Sequence, residues 1–329
     1  MLVLTRSILE QLLTPDRCRL AMATAMRATS QRQCVLPLRQ FMGIPDRPGK
    51  LGLMPGYLGG DAVQRFGVKI VSKYERPVGD PHGTHVGAVM LFDAVNGLPL
   101  ALLEGGTLTA LRTAATTALA TDVLARQDAS HLLIIGAGEE ARFHIDALLR
   151  IRAFERLTIW ARRPEQATKL LAELALPATL TTSVASDLRS AVARADVICT
   201  VTSAKQPILA GEWLTAGTHL SLVGSAIPTT AEVDSTAVSR GRFYVDYREA
   251  ALAQAGELLA AIAAGVVTAE HIVGEIGEVL LGTKPGRTNP QEITVYKSLG
   301  VTTQDLAAAE TAYRAAVELG LGQTIDLDA

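Results

Sequence analysis

The sequence predicts an α/β fold with two parts, a Rossmann-type doubly wound parallel sheet and a mixed α+β domain. Three observations support this prediction. A glycine-rich turn, Gly136 to Ala141, stands between a short apolar run and a helical pattern. After this turn, apolar runs of strand length alternate with helical segments, which is typical of parallel sheets. Before it, short strands follow one another closely. A length of 329 residues also favours about two domains.

The segment before the turn is predicted to combine helices with closely spaced strands. Residues 1–31 favour two short helices that break near Pro15, because proline begins or ends helices. Strands are then predicted at 34–38, 51–57, 68–74, 86–95 and 98–103. Asn96 and Gly97 separate the last two strands and indicate a hairpin, because both residues tolerate positive φ. Residues 107–125 are rich in Ala, Leu and Thr, a composition that predicts a long helix buried on several sides.

The central stretch has the order strand, glycine turn, helix and strand within about thirty residues. Its strands are the apolar runs 132–135 and 157–160. In this setting Gly136 allows a tight turn, Gly138 lets a pyrophosphate approach bare backbone, and Ala141 keeps the helix close to the sheet. The N-terminus of the helix offers its N–H groups to phosphate. The sequence therefore predicts a dinucleotide site formed by Gly136, Ala137, Gly138, Glu139, Glu140 and Ala141.

The second of these strands is followed by Ala161, Arg162 and Arg163. An NAD-binding chain usually places an acidic residue here, which accepts a hydrogen bond from the ribose 2′-hydroxyl. Two guanidinium groups instead suit a 2′-phosphate, because arginine pairs with phosphate through two hydrogen bonds. The alternative is a pair of solvated arginines at the end of a strand. We predict NADP(H) as the preferred cofactor, with NAD(H) as the second choice.

The α/β pattern continues towards the C-terminus. Strands are predicted at 178–183, 197–202, 218–223, 243–245 and 293–296. Ligands of open α/β sheets bind at the carboxyl ends of the strands. We therefore expect further cofactor contacts from Thr202, Ser203, Val223, Gly224 and Ser298. The last helix, residues 304–319, is expected to return to the first domain. The predicted domains are thus 1–115 plus 304–329, which is mixed α+β, and 116–303, which binds the dinucleotide.

Composition limits the classes of partner. The formal net charge is −2, which offers no electrostatic basis for binding nucleic acid or an anionic membrane. No apolar run approaches the roughly twenty residues of a membrane span, and the N-terminus lacks the pattern of a signal peptide. The cysteines, Cys18, Cys34 and Cys199, lie far apart and favour a reducing compartment. The sequence therefore predicts a cytoplasmic protein that binds neither nucleic acid nor membrane.

Cationic residues stand in apolar surroundings at three places in the first domain. Arg39 ends the strand VLPLR, Lys69 interrupts FGVKIV, and Arg112 lies inside the helix TALRTAATTALA. A buried charge is costly unless it is paired or bound to an anion. Each residue alone is compatible with a structural ion pair or with a side chain that extends to solvent. Together they suit a substrate that bears a carboxylate.

A loop between two predicted strands contains the sequence PHGTH, residues 81–85. His82 and His85 have the chemistry of metal ligands, but no Cys or acidic residue stands beside them. We therefore predict no metal. We expect instead that the loop presents Thr84 to the substrate or to the cofactor.

At these residues the chain resembles the ornithine cyclodeaminase/μ-crystallin family over nearly its whole length. The resemblance rests on LPLRQ, LGLMPGY, FGVKIVS, GAGEEA, VDYREAALAQAGEL, EITVYKSLG and, most distinctively, the block from GTH to RTAA. It implies that the first domain binds the substrate and forms a homodimer. It also implies that Arg39, Lys69 and Arg112 bind the substrate carboxylate. Lys69 would assist protonation of an imine and Thr84 would lie near the nicotinamide, so that Lys69, Arg112 and Thr84 are the expected catalytic residues.

The family contains redox-neutral cyclodeaminases and net reductases, which differ in their carboxylates. Its cyclodeaminases resemble one another in a Glu just before the LMP segment and an Asp after the strand that corresponds to GTHLSLVGS. This chain has Gly52 and Ala226 at those positions, and neither side chain transfers a proton. Both positions look more like those of ketimine reductases. Glu232 and Asp234 lie nearby in the sequence, and either one is an open candidate for a substitute carboxylate.

The resemblance thus predicts an enzyme, an NADPH-dependent reductase of a cyclic ketimine carboxylate. The expected reaction is Δ1-pyrroline-2-carboxylate to L-proline or Δ1-piperideine-2-carboxylate to L-pipecolate. A cyclodeaminase recycles its NAD⁺ and needs no external reductant, so Arg162 and Arg163 favour the same interpretation. The nearest alternative is an ornithine cyclodeaminase, which converts ornithine to proline and ammonia with NAD. An alanine or other amino-acid dehydrogenase comes next, followed by a non-enzymatic binding protein of the μ-crystallin kind.

Overall fold

The computed structural model describes residues 1–60, 63–74 and 85–327 of the chain. The chain divides into two compact units. Unit 1 consists of Met1–Ala115 together with Val301–Ala329, and unit 2 is Thr116–Gly300. The first boundary falls inside a long helix, and the second falls just before the last helix. Within the described ranges, no helix has both the length and the apolar composition needed to cross a membrane.

The strands and helices are numbered here in chain order. The strands are β1 (Leu2–Leu4), β2 (Cys34–Val35), β3 (Gln40–Gly43), β4 (Gly49–Leu58), β5 (Arg65–Tyr74), β6 (His85–Asp93), β7 (Pro99–Glu104), β8 (His131–Ile135), β9 (Arg156–Trp160), β10 (Thr181–Val184), β11 (Val197–Thr200), β12 (His219–Leu222), β13 (Gly241–Val245), β14 (Ile272–Glu275), β15 (Ile293–Lys297) and β16 (Gln323–Thr324). The α-helices are α1 (Arg6–Leu12), α2 (Pro15–Ser30), α3 (Gly105–Leu124), α4 (Glu139–Leu149), α5 (Pro164–Glu173), α6 (Leu188–Arg194), α7 (Ser235–Arg240), α8 (Arg248–Gln254), α9 (Gly256–Ala263), α10 (Ile276–Leu280) and α11 (Thr302–Leu319).

Unit 1 is built around a sheet that has eight strands in the described part of the chain. Their order is β16-β1-β7-β6-β5-β4-β2, and β3 also pairs with β4. All pairs are antiparallel except β1 with β7. Helix α11 packs closely on one face, because a Cβ at Gly56 or at Gly67 would lie only 2.9 Å from a side chain of α11. The predicted hairpin is confirmed, and Gly97 has a φ of +76°.

Two predictions for unit 1 were wrong in detail. Residues 1–31 contain a strand before their two helices, because Leu2–Leu4 pairs in parallel with β7 and buries Leu4. The strand predicted at 34–38 ends at Val35, since Pro37 has no N–H with which to continue a ladder. The sequence also did not predict β3, whose four residues are all exposed and therefore carry no alternating apolar signal.

Unit 2 contains a parallel sheet in the order β10-β9-β8-β11-β12-β15-β13-β14. Its β8, β11 and β12 are buried along their whole length, as parallel strands covered on both faces are. The strand order reverses between β8 and β11, and this reversal is where open α/β sheets bind ligands. The predicted α/β fold, with a Rossmann-type parallel sheet and a mixed sheet, is confirmed.

Candidate functional site

The glycine turn of unit 2 follows β8 and has the geometry of a phosphate cradle. Gly136 has a φ of +121°, and a Cβ there would lie 2.7 Å from the carbonyl oxygen of Val201, so only glycine fits. A Cβ at Gly138 would meet no atom within 4 Å, which leaves open space beside the backbone. Gly138 is the N-cap of α4. Ala141 is fully buried. The start of α4 can therefore offer backbone N–H groups to an anion.

The end of β9 lies beside this turn. The N–H of Gly136 donates to the carbonyl of Trp160 at 2.8 Å, which fixes the two chain segments next to each other. Arg162 and Arg163 follow two and three residues later, and both are exposed. Pro164 then begins α5 directly after Arg163, its N-cap. The structure thus places two exposed arginines just after the strand that neighbours the glycine turn.

The carboxyl ends of β11 and β12 are held together by a buried carboxylate that the sequence did not single out for this role. Glu232 Oε1 accepts from the N–H and the hydroxyl of Thr202, each at 2.8 Å, and Oε2 accepts from Thr200 Oγ1 at 2.8 Å and Gly224 N at 2.7 Å. Burial raises the pKa of Glu232; the charge of Lys297 lowers it in part, and Glu257 adds to the rise.

The hydrogen bonds to Glu232 restrict which atoms at the strand ends can form the predicted cofactor contacts. The N–H groups of Thr202 and Gly224 already donate to Glu232, so they are not available to a ligand. Ser203 is exposed and Val223 is half-buried, whereas Ser298 is buried after β15.

The two candidates for a substitute carboxylate both hold local structure. Each oxygen of Glu232 accepts at least one hydrogen bond, as described above. Asp234 is the N-cap of α7 and accepts from Ala237 N and Gly211 N, both at 2.9 Å. Glu232 thus holds the ends of β11 and β12 together, and Asp234 caps α7.

Lys297 and Glu257 form a second buried network in unit 2. Lys297, at the end of β15, is fully buried and donates to the carbonyl of Ser225, and its Nζ lies 3.3 Å from Glu257 Oε2. Glu257 Oε1 in turn accepts from the N–H of Glu232 at 3.1 Å. The sequence signal for both residues was a charge inside an apolar strand or helix, the same signal that drew notice to Lys69.

In unit 1, two of the predicted cationic residues meet at one buried aspartate. Asp305, at the start of α11, is fully buried. Its Oδ2 lies 3.0 Å from Lys69 Nζ and its Oδ1 lies 2.9 Å from Arg112 Nε. Arg112 Nη1 also donates to Gln304 Oε1 at 2.9 Å. We call Lys69, Arg112, Gln304 and Asp305 the cationic cluster.

The charge state of Lys69 follows from this environment. Burial lowers its pKa to about 8; Asp305 works in the opposite direction, while Arg112 and then Arg39 add to the lowering. Arg39 lies in the segment before β3 and is half-buried. An amine with this pKa is protonated at neutral pH yet close to its titration point, which suits a group that donates a hydrogen bond or a proton.

Thr84 and His82 lie outside the described residues. Among the residues that are described, no group of three or more His, Cys, Asp or Glu side chains is arranged to hold a metal ion.

A Rossmann-type sheet with a glycine turn after its first strand defines a class of proteins that bind dinucleotides. Within that class, the chain belongs to the ornithine cyclodeaminase/mu-crystallin family, whose model matches residues 1–319. The family predicted from the sequence is confirmed.

Several relatives and solved structures are similar to this chain over most of its length. The ketimine reductase mu-crystallin of Mus musculus is 36% identical over 277 residues, 84% of each chain. A Δ1-pyrroline-2-carboxylate reductase of Bacillus cereus is 34% identical over 305 residues, 92% of this chain and 93% of the relative. The Δ1-pyrroline-2-carboxylate reductase of Thermococcus litoralis, in complex with NADH and L-proline, has a TM-score of 0.94 and 32% identity and covers 99% of this chain and 100% of its own. An archaeal alanine dehydrogenase dimer with bound NAD has a TM-score of 0.91 and 29% identity over 99% of both chains.

The enzyme class predicted from the sequence, an NAD(P)-dependent oxidoreductase of the ketimine reductase kind, agrees with these relatives. The curated relatives carry reductase names, and both solved structures hold a nicotinamide dinucleotide.

Proposed function

We propose that this protein reduces a cyclic ketimine carboxylate, either Δ1-pyrroline-2-carboxylate to L-proline or Δ1-piperideine-2-carboxylate to L-pipecolate. The observation that carries the proposal is the buried cationic cluster. Lys69 and Arg112 contribute two positive charges and Asp305 one negative charge, which leaves one positive charge for one carboxylate. Arg39 adds a further positive charge nearby. The proposal is supported by relatives that share the whole architecture and bear reductase names.

Each residue of the cluster has a stated role in this proposal. Arg112, fixed by Asp305 and Gln304, binds the carboxylate with its guanidinium plane already oriented. Arg39 completes the binding of the same group. Lys69 donates a proton from its ammonium group to the imine nitrogen and is left as a neutral amine, and C2 of the resulting iminium is the better hydride acceptor. A bound nicotinamide supplies the hydride. Thr84, which lies outside the described residues, is proposed from the resemblance alone to contact the nicotinamide.

Reduction is favoured over cyclodeamination because the carboxylates that the second reaction needs are lacking. A Cβ at Gly52 would lie 2.9 Å from the ring of Phe41 and 3.0 Å from Val71 Cγ1, so these two side chains fill the space that a glutamate would enter. Ala226 offers no carboxylate, and Glu232 and Asp234 are engaged elsewhere. Proton transfer to a departing amine therefore has no carboxylate at either position.

The dinucleotide is proposed to bind along the turn from Gly136 to Ala141 and the strand ends of unit 2. The open side of Gly138, at the N-terminus of α4, fits a pyrophosphate. Ser203, Val223 and Ser298 are proposed to contact the nicotinamide half, together with non-donor atoms of Thr202 and Gly224. Arg162 and Arg163 favour the 2′-phosphate of NADP(H), and NAD(H) remains the second choice because related structures hold NADH or NAD.

We further propose that the protein is a cytoplasmic homodimer. One face of the unit 1 sheet packs on α11, and the opposite face carries apolar side chains that the described residues leave partly exposed. They include Phe66, Ile70 and Val86, which are 37%, 40% and 36% exposed. A continuous apolar sheet face suits a second copy of the same chain. The free cysteines are compatible with a reducing compartment.

Three parallel assays test the proposed reaction, with NADPH and Δ1-pyrroline-2-carboxylate, with NAD⁺ and ornithine, and with NAD⁺ and alanine. NADPH with Δ1-pyrroline-2-carboxylate should give NADP⁺ and proline, whereas NAD⁺ with ornithine should give no ammonia. Ammonia and proline from ornithine without NADPH oxidation in the first assay would instead establish a cyclodeaminase. NADH formation from alanine and NAD⁺ alone would establish a dehydrogenase, and no turnover in any assay would favour a binding protein.

A further inference from the structure

Strand β5 and helix α11 are joined by two buried ion pairs. Lys69 pairs with Asp305, and Arg65 pairs with Glu310 through its Nε at 2.7 Å from Glu310 Oε2. Both carboxylates are nearly or fully buried, with side-chain exposures of 0% for Asp305 and 3% for Glu310. The pairs differ in their surroundings. Glu310 also pairs with Arg314 on its own helix, whereas Asp305 stands between two cations assigned to substrate binding.

Among the described residues, three charged side chains act on the pKa of Lys69. Asp305 approaches from α11, Arg112 from α3, and Arg39 from the segment before β3. Cys18 of α2 interacts with Arg112, and burial raises the pKa of its thiol to about 12, so it is neutral. Asp305 is therefore the one negative charge among the described groups of this cluster. Burial alone would raise the pKa of Asp305, but Arg112 and then Lys69 outweigh burial and lower it.

We infer that Asp305 is a positioning residue for the proposed reaction: it orients Lys69 and Arg112 and supplies the negative charge that lets two cations share a buried site. This inference rests on the proposed function. Without that charge, Lys69 would face Arg112 and Arg39 at low dielectric, and its ammonium form would become less favourable. Lys69 would then lose its proton at a lower pH, and the substrate would meet a neutral amine.

The test compares Asp305→Asn with Glu310→Gln in the full-length protein. Each variant removes one buried carboxylate charge of α11 and nearly preserves the shape of the side chain. In the wild type, kcat/KM for the imine should fall above a pH near the pKa of Lys69. In Asp305→Asn the pH at which kcat/KM begins to fall (the start of the basic limb) should be lower by at least about one pH unit. Near pH 8 the kcat/KM of this variant should then be approximately tenfold below its own low-pH plateau. Glu310→Gln should keep the wild-type limb. An unmoved limb in Asp305→Asn, or an equal shift in both variants, would overturn the inference.

Asp305→Glu covers the case in which the asparagine variant does not fold. This variant keeps the charge but moves it by one methylene, so kcat should fall while the basic limb stays at the wild-type pH. Wild-type kcat and KM in Asp305→Glu would contradict a positioning role. Affinity for NADPH, measured by fluorescence titration, should be unchanged in every folded variant.

Failure of the proposed function can be told apart from failure of this inference. If the wild type reduces no imine, L-proline binding in the presence of NADP⁺ is measured by calorimetry between pH 6 and 9. Binding that weakens at a lower pH in Asp305→Asn than in the wild type would support the role of Asp305 in carboxylate binding alone. Identical pH dependence would reject it.

Discussion

At the scale of single residues, the proposed reaction depends most on the side chain of Lys69, the proposed proton donor. Its Nζ contacts both oxygens of Asp305, at 3.0 and 3.1 Å, and burial brings its pKa to about 8. Lys69→Ala should lower turnover by roughly 10²-fold or more, because a positioned proton donor contributes on this scale. Affinity for NADPH should stay within about twofold, since the glycine turn belongs to unit 2. Steady-state kinetics and fluorescence titration measure the two effects. Near-normal turnover would show that Lys69 is not catalytic.

The proposed preference for NADPH over NADH also depends on individual side chains, those of Arg162 and Arg163. Replacing Arg162 and Arg163 by alanine should weaken NADPH by at least about tenfold, because charged hydrogen bonds each contribute roughly 1.5–3 kcal/mol. Affinity for NADH, which lacks the 2′-phosphate, should change little. Arg156→Ala is the matched control, since Arg156 is exposed at the opposite end of the same strand. Equal losses for both dinucleotides would show that the two arginines do not select the cofactor.

At the scale of elements, β12 carries a buried histidine in the middle of the parallel sheet. His219 contacts Thr294 Oγ1 at 3.0 Å and Ser221 Oγ at 3.1 Å. Burial, followed by the charges of Arg287 and Arg152, lowers its pKa to about 3 from an ordinary 6.5. Between these values the unfolded chain binds more protons than the native state, so stability rises with pH. The contribution of His219 is fully present above pH 6.5 and is lost as the pH falls towards 3.

The variant His219→Gln should therefore lose less stability on acidification than the wild type. Urea unfolding at pH 7.5 and at pH 5 measures the loss in each protein. Some acid sensitivity should remain, because burial also lowers the pKa of His131 at the start of β8. Equal losses in the two proteins would show that His219 does not contribute.

Elements with strong local patterns were predictable, and elements defined by pairing were not. The strand–turn–helix unit around Gly136 has an apolar run, special glycines and helical spacing within a short stretch, and the structure has it as β8, the turn and α4. In contrast, β1 is three residues long, and only its partner β7 makes it a strand. A short sequence of this kind carries no periodicity of its own.

The same division holds for the candidate site. Lys69 and Arg112 stood out because each is a charge in an apolar segment. Their partner was not predictable, since Asp305 is 236 residues from Lys69 in the chain and only the packing of α11 on β5 brings them together. Glu232 is a similar case, because its role depends on the ends of two strands that become neighbours only in the folded sheet. The cations and the glycine turn could be predicted from their immediate sequence neighbours. Asp305 and Glu232 could not be predicted as partners, because folding brings each of them to residues that are distant in the chain.

At the scale of the whole molecule, the two faces of the unit 1 sheet differ in what they contact. On the face that packs against α11, Lys69 and Val89 are buried opposite each other. On the other face, Phe66 and Phe92 stack with ring centroids 5.0 Å apart, and Ile70 lies opposite Ala88. An exposed apolar sheet face of this kind is unfavourable in a monomer. The homodimer proposed for this chain would remove it from water.

The dimer proposal is tested by placing charge on that face. Ile70→Lys combined with Met90→Lys should convert the dimer to a monomer, because two buried ammonium groups per chain would be unpaired and would repel their copies across a two-fold axis. Analytical ultracentrifugation measures the change in mass at micromolar concentration. Val95→Lys is the control, since Val95 is 85% exposed on the hairpin turn and should leave the dimer intact. A monomeric wild type, or a dimer that survives both lysines, would assign the apolar face to a different occupant, and dissociation in the control as well would point to general destabilisation.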